Sequence, residues 1–412
     1  MKIAFLTLGC KLNYAETSTY ERDFEKAGLE VVSHQDQADI YLINTCSVTS
    51  TADAKSRNLI RKMHRQNPSA RIVVCGCSAQ LRKEDIHEIE GVWKVFGCNE
   101  KSLIVPQCLK ELGITQKGIS PESSSTIFGA YSSGERTRSF LKVQDGCNNH
   151  CLYCTVPLAR GESRNISICE CVKMAEQIAE NGVKEIVITG VNTGDFGRST
   201  SENFLDLLKA LNEVKGIERY RISSIEPNLL HNEIIDWIAS GTKIQPHFHI
   251  PLQAGCDILL ENMGRHYDTA FFKDKISYLR SKLGDGVFIG IDIMVGLPGE
   301  TEELFRQGYD FISEIKPSFL HIFPYSQRPG TPAATMSGQV NEETKKERVA
   351  ILESLCTKLH TDFVESQKGH KALVLFESKE KDGNMSGYSE NYIRVSRPYD
   401  PTLVGKIVEV TL

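Results

Sequence analysis

The chain has 412 residues, 40% hydrophobic and 25% charged, with a formal net charge of -5. This length suits two or three domains, and the composition is that of an ordinary soluble globular protein. No apolar run approaches the roughly eighteen residues of a spanning helix, so no membrane contact is expected, and the mild negative charge leaves nucleic-acid binding to local basic patches.

The first ten residues, Met1-Lys-Ile-Ala-Phe-Leu-Thr-Leu-Gly-Cys10, lack a small-residue cleavage pattern and read as a strand over 3–8 rather than a secretory signal. Further buried strands are predicted at 40–43 and 72–75, with helical spacing over 16–27 and 53–66. Strand–helix alternation makes residues 1–115 a mainly parallel α/β domain. Residues 116–136 hold Gly118, Pro121, the run Ser123–Thr126 and Ser132-Ser133-Gly134, which reads as a linker. From 137 to 367 the alternation resumes, with strands predicted at 140–143, 185–189, 220–223, 247–250, 287–295 and 319–323. Helices are predicted at 171–180, 204–211 and 271–282, which together suggest a partial (β/α)6 barrel. Residues 368–412 read as a small all-β domain with strands at 372–377, 392–395 and 406–412.

Thirteen cysteines are the unusual number. An odd count in a long chain with no sign of export argues against a disulfide framework and for metal or redox chemistry in the cytoplasm. Cys147-Asn-Asn-His-Cys151-Leu-Tyr-Cys154 places three thiolates within one loop after the strand ending near Val143. Such a set suits an iron–sulfur cluster, and three ligands leave one iron of a four-iron cluster open. A structural zinc loop is the alternative. Zinc closes with four ligands, no fourth cysteine has the usual spacing, and His150 directly precedes Cys151.

Three other cysteines share a placement. Cys10, Cys46 and Cys77 each stand just past the carboxyl end of a predicted strand, on the one edge of a parallel sheet where sites form. Cys98 also follows a short apolar run, so placement alone leaves three of four unchosen. Cys75, inside a strand, reads as a buried hydrophobe.

The loop Cys147–Cys154 at the first barrel strand resembles the radical S-adenosylmethionine (SAM) enzymes. The segments Thr7-Leu-Gly-Cys10-Lys-Leu-Asn13, Asn44-Thr-Cys46-Ser-Val and Cys75-Gly-Cys77-Ser-Ala-Gln80 resemble the amino-terminal domain of the methylthiotransferases among them. The resemblance spans essentially the whole chain and implies two [4Fe-4S] clusters and SAM. It assigns Cys147, Cys151 and Cys154 to the radical-forming cluster. It assigns Cys10, Cys46 and Cys77, not Cys98, to an auxiliary sulfur-handling cluster. It implies that SAM is used twice: once to methylate sulfur at the auxiliary cluster, once to give a 5′-deoxyadenosyl radical that removes a hydrogen from an adenine C2. The carboxyl-terminal segment resembles a TRAM domain.

Other residues take roles from this likeness. Tyr153 would lie against the adenine of SAM. Thr189, Gly190 and Asn192 stand where relatives use a Gly-Gly-Glu-like turn for the SAM amino group; here the acid is absent and backbone contacts would replace it. Ser223 and Glu226 lie past the third strand, Glu226 as a ribose or amine ligand. Gln253 would face the active site, Arg265 would pair with the SAM carboxylate, and Val295 opens an adenine-side loop.

The segments Thr7–Asn13, Val143–Asn149 and Thr189–Gly194 resemble the branch acting on N6-threonylcarbamoyladenosine in the tRNA anticodon stem-loop. Isopentenyladenosine tRNA or a ribosomal protein are the alternative acceptors. A non-enzymatic iron–sulfur electron carrier with an RNA-binding tail is the alternative from another class. Such an enzyme would also need an electron donor such as flavodoxin or ferredoxin, and a sulfur donor. For RNA contact the sequence offers residues 54–82, with seven Lys/Arg and no acid, and Tyr388, Tyr392 and Arg394 near the end; the pair Arg160 and Arg164 suits RNA phosphate, the SAM carboxylate, or a helix-cap or surface role.

Overall fold

The computed structural model describes residues 1–114, 127–134 and 137–412. Gly118, Pro121 and Ser123–Thr126 of the expected linker lie outside the described residues.

The amino-terminal sheet has five parallel strands: Lys2–Thr7 (β1), Glu30–Val32 (β2), Ile40–Thr45 (β3), Arg71–Gly76 (β4) and Val92–Phe96 (β5), in the order β2-β1-β3-β4-β5. Every residue of β3 is buried, as expected of a central parallel strand covered on both faces. Ile3, Leu42, Val73 and Cys75 pack on one side with Tyr20 and Phe24 of the helix Lys11–Lys26 (α1). Tyr41, Ile43, Ile72 and Val74 pack on the other with Ile60 and Met63 of the helix Ser50–Gln66 (α2). Helix α1 starts five residues ahead of the predicted 16, because its cap is Cys10, which makes no side-chain capping bond and gives no capping signal. A short helix, Cys77–Leu81 (α3), follows β4.

The second unit contains Ala130–Tyr131 (β6), Arg138–Lys142 (β7), Gln144–Asp145 (β8), Arg164–Asn165 (β9), Glu185–Thr189 (β10) and Arg219–Ile222 (β11). It continues with His247–Gln253 (β12), Phe288–Val295 (β13) and Phe319–Pro324 (β14). Strands β7, β10 and β11 are parallel neighbours, and so are β12, β13 and β14. The two sheets meet where Tyr220 bridges Ile244 and the Ile225 N–H donates to the His249 carbonyl at 3.1 Å. This is the partial six-stranded barrel. Its outer helices are capped by Ser167, Asn203, Asp268 and Thr301, each accepting a backbone N–H. The helix Glu342–Ser366 packs Leu352, Leu355 and Leu359 onto the same core.

The last sheet is antiparallel: Lys371–Lys381 (β15), Asn384–Ser389 (β16), Arg394–Pro398 (β17) and Ile407–Thr411 (β18), ordered β17-β16-β15-β18. Strand β16 is absent from the sequence expectation because Asn-Met-Ser-Gly-Tyr-Ser is poor in β-branched residues. Gly387 belongs there for a steric reason: a Cβ would lie 2.5 Å from the Leu375 carbonyl oxygen. Arg219 and Arg221 of the barrel donate to the carbonyls of Leu373, Ser389 and Glu390, and so fasten this sheet to the barrel wall.

Candidate functional site

The first cysteine loop is built on glycine. Gly146 has φ +74°, and a Cβ there would sit 2.0 Å from the Glu162 carbonyl oxygen. The Cys147 N–H donates to the Gly161 carbonyl at 3.0 Å, and the Leu152 N–H to Met263 at 3.1 Å. The loop is thus held at both ends, directly beyond the carboxyl ends of the first barrel strands. Each sulfur accepts one donor: Asn149 N–H to Cys147 at 3.4 Å, Val156 N–H to Cys154 at 3.4 Å, and the Arg265 guanidinium to Cys151 at 3.2 Å. Burial pushes the Cys147 thiol up to about 11 and the Cys154 thiol up to about 12, so a cation at the loop is needed to draw off their protons at neutral pH.

The Arg265 side chain is buried. It donates to Glu226 at 2.9 Å and to the Tyr267 hydroxyl at 3.1 Å. Glu226 therefore orients Arg265 rather than standing as a lone acid. Tyr153 is half-buried against the barrel core. Thr189 is buried and donates to the Val187 carbonyl, while Gly190 lies against Gln144, whose Oε1 accepts the Asn192 N–H at 2.9 Å. Gln253 has φ +71° at a bulge between β12 and β13, and Val295 is buried. Among the described residues, Asn192 Oδ1 and Ser223 Oγ are buried without a hydrogen-bond partner. They follow the adjacent strands β10 and β11, and Thr193 Oγ1 donates to the Ser224 carbonyl between them. Buried polar atoms rarely go unpaired, so this edge fits a polar ligand such as SAM.

The second set gathers at the end of the amino-terminal sheet. Gly9, φ +99°, lies so close to Cys46 that a Cβ would be 2.7 Å from its Cβ. Gly76, φ +99°, precedes Cys77 and lies against the Thr45 carbonyl. Asn13 sutures the edge, donating to the carbonyls of Leu8 at 2.8 Å and Thr45 at 3.0 Å. Cys10 is exposed, Cys46 buried and Cys77 intermediate. Cys98 is buried and gives its thiol hydrogen to Cys77; with the Arg160 guanidinium and Lys101 ammonium this holds the Cys77 thiol at about 5 despite burial. Burial pushes Cys46 up to about 11. Cys75 is in the core, as expected. Among the described residues no three His, Cys, Asp or Glu side chains gather tightly enough to hold a single metal ion. Both triads are open sets of thiols, a donor chemistry that fits iron–sulfur clusters better than a closed four-ligand zinc shell.

A buried ionic network that the sequence did not reveal joins this edge to the barrel. Glu16 of α1 pairs with Lys101 at 2.5 Å and Lys142 at 2.7 Å; Lys142 pairs with Asp145 at 2.7 Å and Arg160 with Asp145 at 2.8 Å. Burial alone would raise the Glu16 carboxyl, but Lys101, Lys142 and Arg160 hold it at about 2. Arg160 also donates to Asn13 at 2.6 Å and to the Cys77 sulfur at 3.3 Å. Arg164 stands 3.9 Å from Asp145 as well, so four cations face two carboxylates and positive charge is in excess beside Cys77. Arg160 is therefore internal and not free for RNA, and Arg164 turns to the Arg160 carbonyl and Asn99. Tyr392, expected on an RNA-facing surface, is packed among His247, Phe288 and Tyr388. Of the basic segment, Arg82 is tied to Asp53 and Asp85, whereas Lys55, Arg61, Lys62 and Arg65 of α2 are exposed.

Comparison with known proteins agrees with this division. Residues 2–97 match Uncharacterized protein family UPF0004, and residues 141–312 match the Radical SAM superfamily. The chain is 40% identical to the threonylcarbamoyladenosine tRNA methylthiotransferase MtaB of Bacillus subtilis (strain 168), over 100% of this chain and 93% of the relative. It is 37% identical to the protein of the same name from Aquifex aeolicus (strain VF5), over all of both chains. A tRNA-2-methylthio-N(6)-dimethylallyladenosine synthase from Alkaliphilus oremlandii (strain OhILAs) is 30% identical over 100% of this chain and 90% of the relative. The structure of the radical SAM methyltransferase TsrM from Kitasatospora setae, with cobalamin and a [4Fe-4S] cluster, superposes with TM-score 0.59. It is 15% identical, over 81% of this chain and 77% of that one, and shows the shared fold.

Fold and thiol loop thus define a radical SAM enzyme, a class that uses a [4Fe-4S] cluster and SAM. The chain belongs to the radical SAM tRNA methylthiotransferase family. Among the described residues no helix is long and apolar enough to cross a membrane.

Proposed function

We propose that this chain attaches a methylthio group to C2 of N6-threonylcarbamoyladenosine beside the tRNA anticodon, in the cytoplasm. The observation that carries this reading is the order of the full-length relatives. Identity is 40% and 37% to proteins named for that acceptor and 30% to one named for dimethylallyladenosine.

Cys147, Cys151 and Cys154 would hold one [4Fe-4S] cluster, and Cys10, Cys46 and Cys77 a second. When bound, the first cluster and SAM supply one-electron chemistry able to remove the inert C2 hydrogen, which acid–base groups cannot do near neutral pH. The protein's part is placement. The Arg265 guanidinium and two backbone N–H groups balance thiolate charge at the first loop. Thr189, Gly190 and Asn192, with Ser223 and Glu226, form the strand-end edge proposed for SAM, and the unpartnered Asn192 Oδ1 and Ser223 Oγ support it. Tyr153, Gln253 and Val295 complete the proposed lining. At the second set, the surplus positive charge around Arg160 favours a thiolate at Cys77.

The exposed Lys55, Arg61, Lys62 and Arg65 suit tRNA phosphates, which position a substrate without reading its bases. A flavodoxin or ferredoxin would supply electrons, and a separate donor would supply sulfur. The proposed extents are 1–115 for the auxiliary-cluster domain, 137–367 for the radical SAM core and 368–412 for the TRAM-like domain.

The test is mass spectrometry of tRNA nucleosides from cells lacking the gene. The 2-methylthio derivative of threonylcarbamoyladenosine disappears and its precursor accumulates. Persistence of that derivative with no second such enzyme present, or loss of the isopentenyl derivative instead, overturns the reading.

A further inference from the structure

A cavity of about 360 Å³ begins at Cys10 and runs into the barrel, walled by Lys11, Tyr14, Arg138, Phe140, Arg221 and Tyr392. Its size falls in the roughly 300–1,000 Å³ range of small-molecule pockets. Strand alternation builds one wall: Phe140 of β7 and Arg221 of β11 both stand in register with Val187 of β10, and all three line the cavity. Their neighbours Leu141, Ile186 and Ile188 face the outer core.

The charges of the wall are mostly spoken for. Arg221 pairs with Glu185 at 2.8 Å, and Arg138 with Glu377 at 2.8 Å. Asp292 is the acid within electrostatic reach of Lys11, and it is bonded to His249 at 2.7 Å. Lys11 is exposed and lines the same cavity as Arg138 and Arg221. Like charges crowded in a partly enclosed space of low dielectric are relieved by an anion. Tyr14, edge-on to Phe140, and Tyr392, stacked on Tyr388, make the rest of this wall aromatic.

We propose that Lys11 determines acceptor specificity: its ammonium binds the carboxylate of an amino-acid substituent on the base that enters this cavity. The proposal rests on the acceptor reading above, in which that group is the threonyl carboxylate. An uncharged alkenyl substituent would leave the Lys11 ammonium desolvated and unmatched, so the same residue that attracts one acceptor rejects the other.

The experiment uses enzyme with its clusters reconstituted anaerobically and two anticodon stem-loop RNAs. One carries N6-threonylcarbamoyladenosine, the other its uncharged threonine-amide analogue. Wild type binds the acid more tightly than the amide by fluorescence anisotropy and modifies it faster. Lys11→Gln loses roughly ten- to a hundredfold on the acid and little on the amide, the effect of one charged hydrogen bond. Lys11→Arg retains the preference, and iron content and the KM for SAM are unchanged in both variants. Equal losses on acid and amide overturn the proposal. So does a rise in the KM for SAM alone, which would make SAM the source of the carboxylate, and so does a loss of iron confined to Lys11→Gln. Wild type that modifies neither RNA overturns the acceptor reading itself, a result that does not involve Lys11.

Discussion

The Nε of Arg160 donates to the sulfur of Cys77 at 3.3 Å, across 83 residues of sequence. The same guanidinium holds Asp145 at 2.8 Å and Asn13 at 2.6 Å. One buried side chain thus ties the barrel loop after the first cysteine triad to the edge that carries the second. Replacing it by glutamine removes the guanidinium from Asp145, Asn13 and the Cys77 sulfur in a dry environment. Losing a buried hydrogen bond to a charged group costs about 1.5–3 kcal/mol. Arg160→Gln is expected to lower the unfolding free energy measured in urea by at least that amount, and a change below about 1 kcal/mol would contradict it.

Glu16 gives a prediction with a sign. Its carboxyl is held at about 2 in the fold against an ordinary 4.5. As pH falls, the unfolded chain takes up this proton first, so the stabilisation is whole above pH 4.5 and is lost as pH drops through about 2. Urea unfolding of the cluster-free chain at stepped pH should show that decline. Glu16→Gln, less stable near neutrality, should show a shallower one over the same window. Parallel curves would refute the assignment.

Gly146 is a steric requirement. A methyl at this position would meet the Glu162 carbonyl carbon at 2.6 Å as well as its oxygen, at a φ that L-residues rarely adopt. Gly146→Ala is expected to cost about 1–3 kcal/mol in backbone strain alone and to displace Cys147. The readout is iron bound after reconstitution, which should fall in this variant and stay unchanged in Gly182→Ala, where nothing lies within 4 Å of the added carbon.

Ser223 separates binding from folding. Its hydroxyl is buried without a partner among the described residues, so Ser223→Ala should leave the stability of the ligand-free chain unchanged or slightly raised. SAM binding, measured by calorimetry on the reconstituted protein, should weaken about three- to tenfold, the net value of one hydrogen bond. A destabilised chain with unaltered SAM affinity would place the hydroxyl in the fold and not in the site.

What could be read from sequence was local. The runs in β1, β3 and β4 are apolar enough to mark strands, and the cysteines just beyond them fall on one edge because parallel strands share a direction. The six barrel strands were legible for the same reason. The ionic network was not: Glu16 and Lys142 lie 126 residues apart, and a buried ion pair leaves no periodic trace. Charged side chains are mostly solvated, so a sequence reader assigns Arg160 to the surface. Tyr392 was misplaced likewise, since a tyrosine near an all-β terminus carries no mark of the barrel wall it packs against. The early start of α1 escaped because a cysteine stands where a capping serine or aspartate is the usual signal.

The central claim is that each triad holds its own cluster, and iron counting after anaerobic reconstitution tests it most directly. Wild type should bind about eight irons per chain, and Cys147→Ala and Cys77→Ala about four each, as two independent four-iron centres require. Iron content unchanged by either substitution would contradict it.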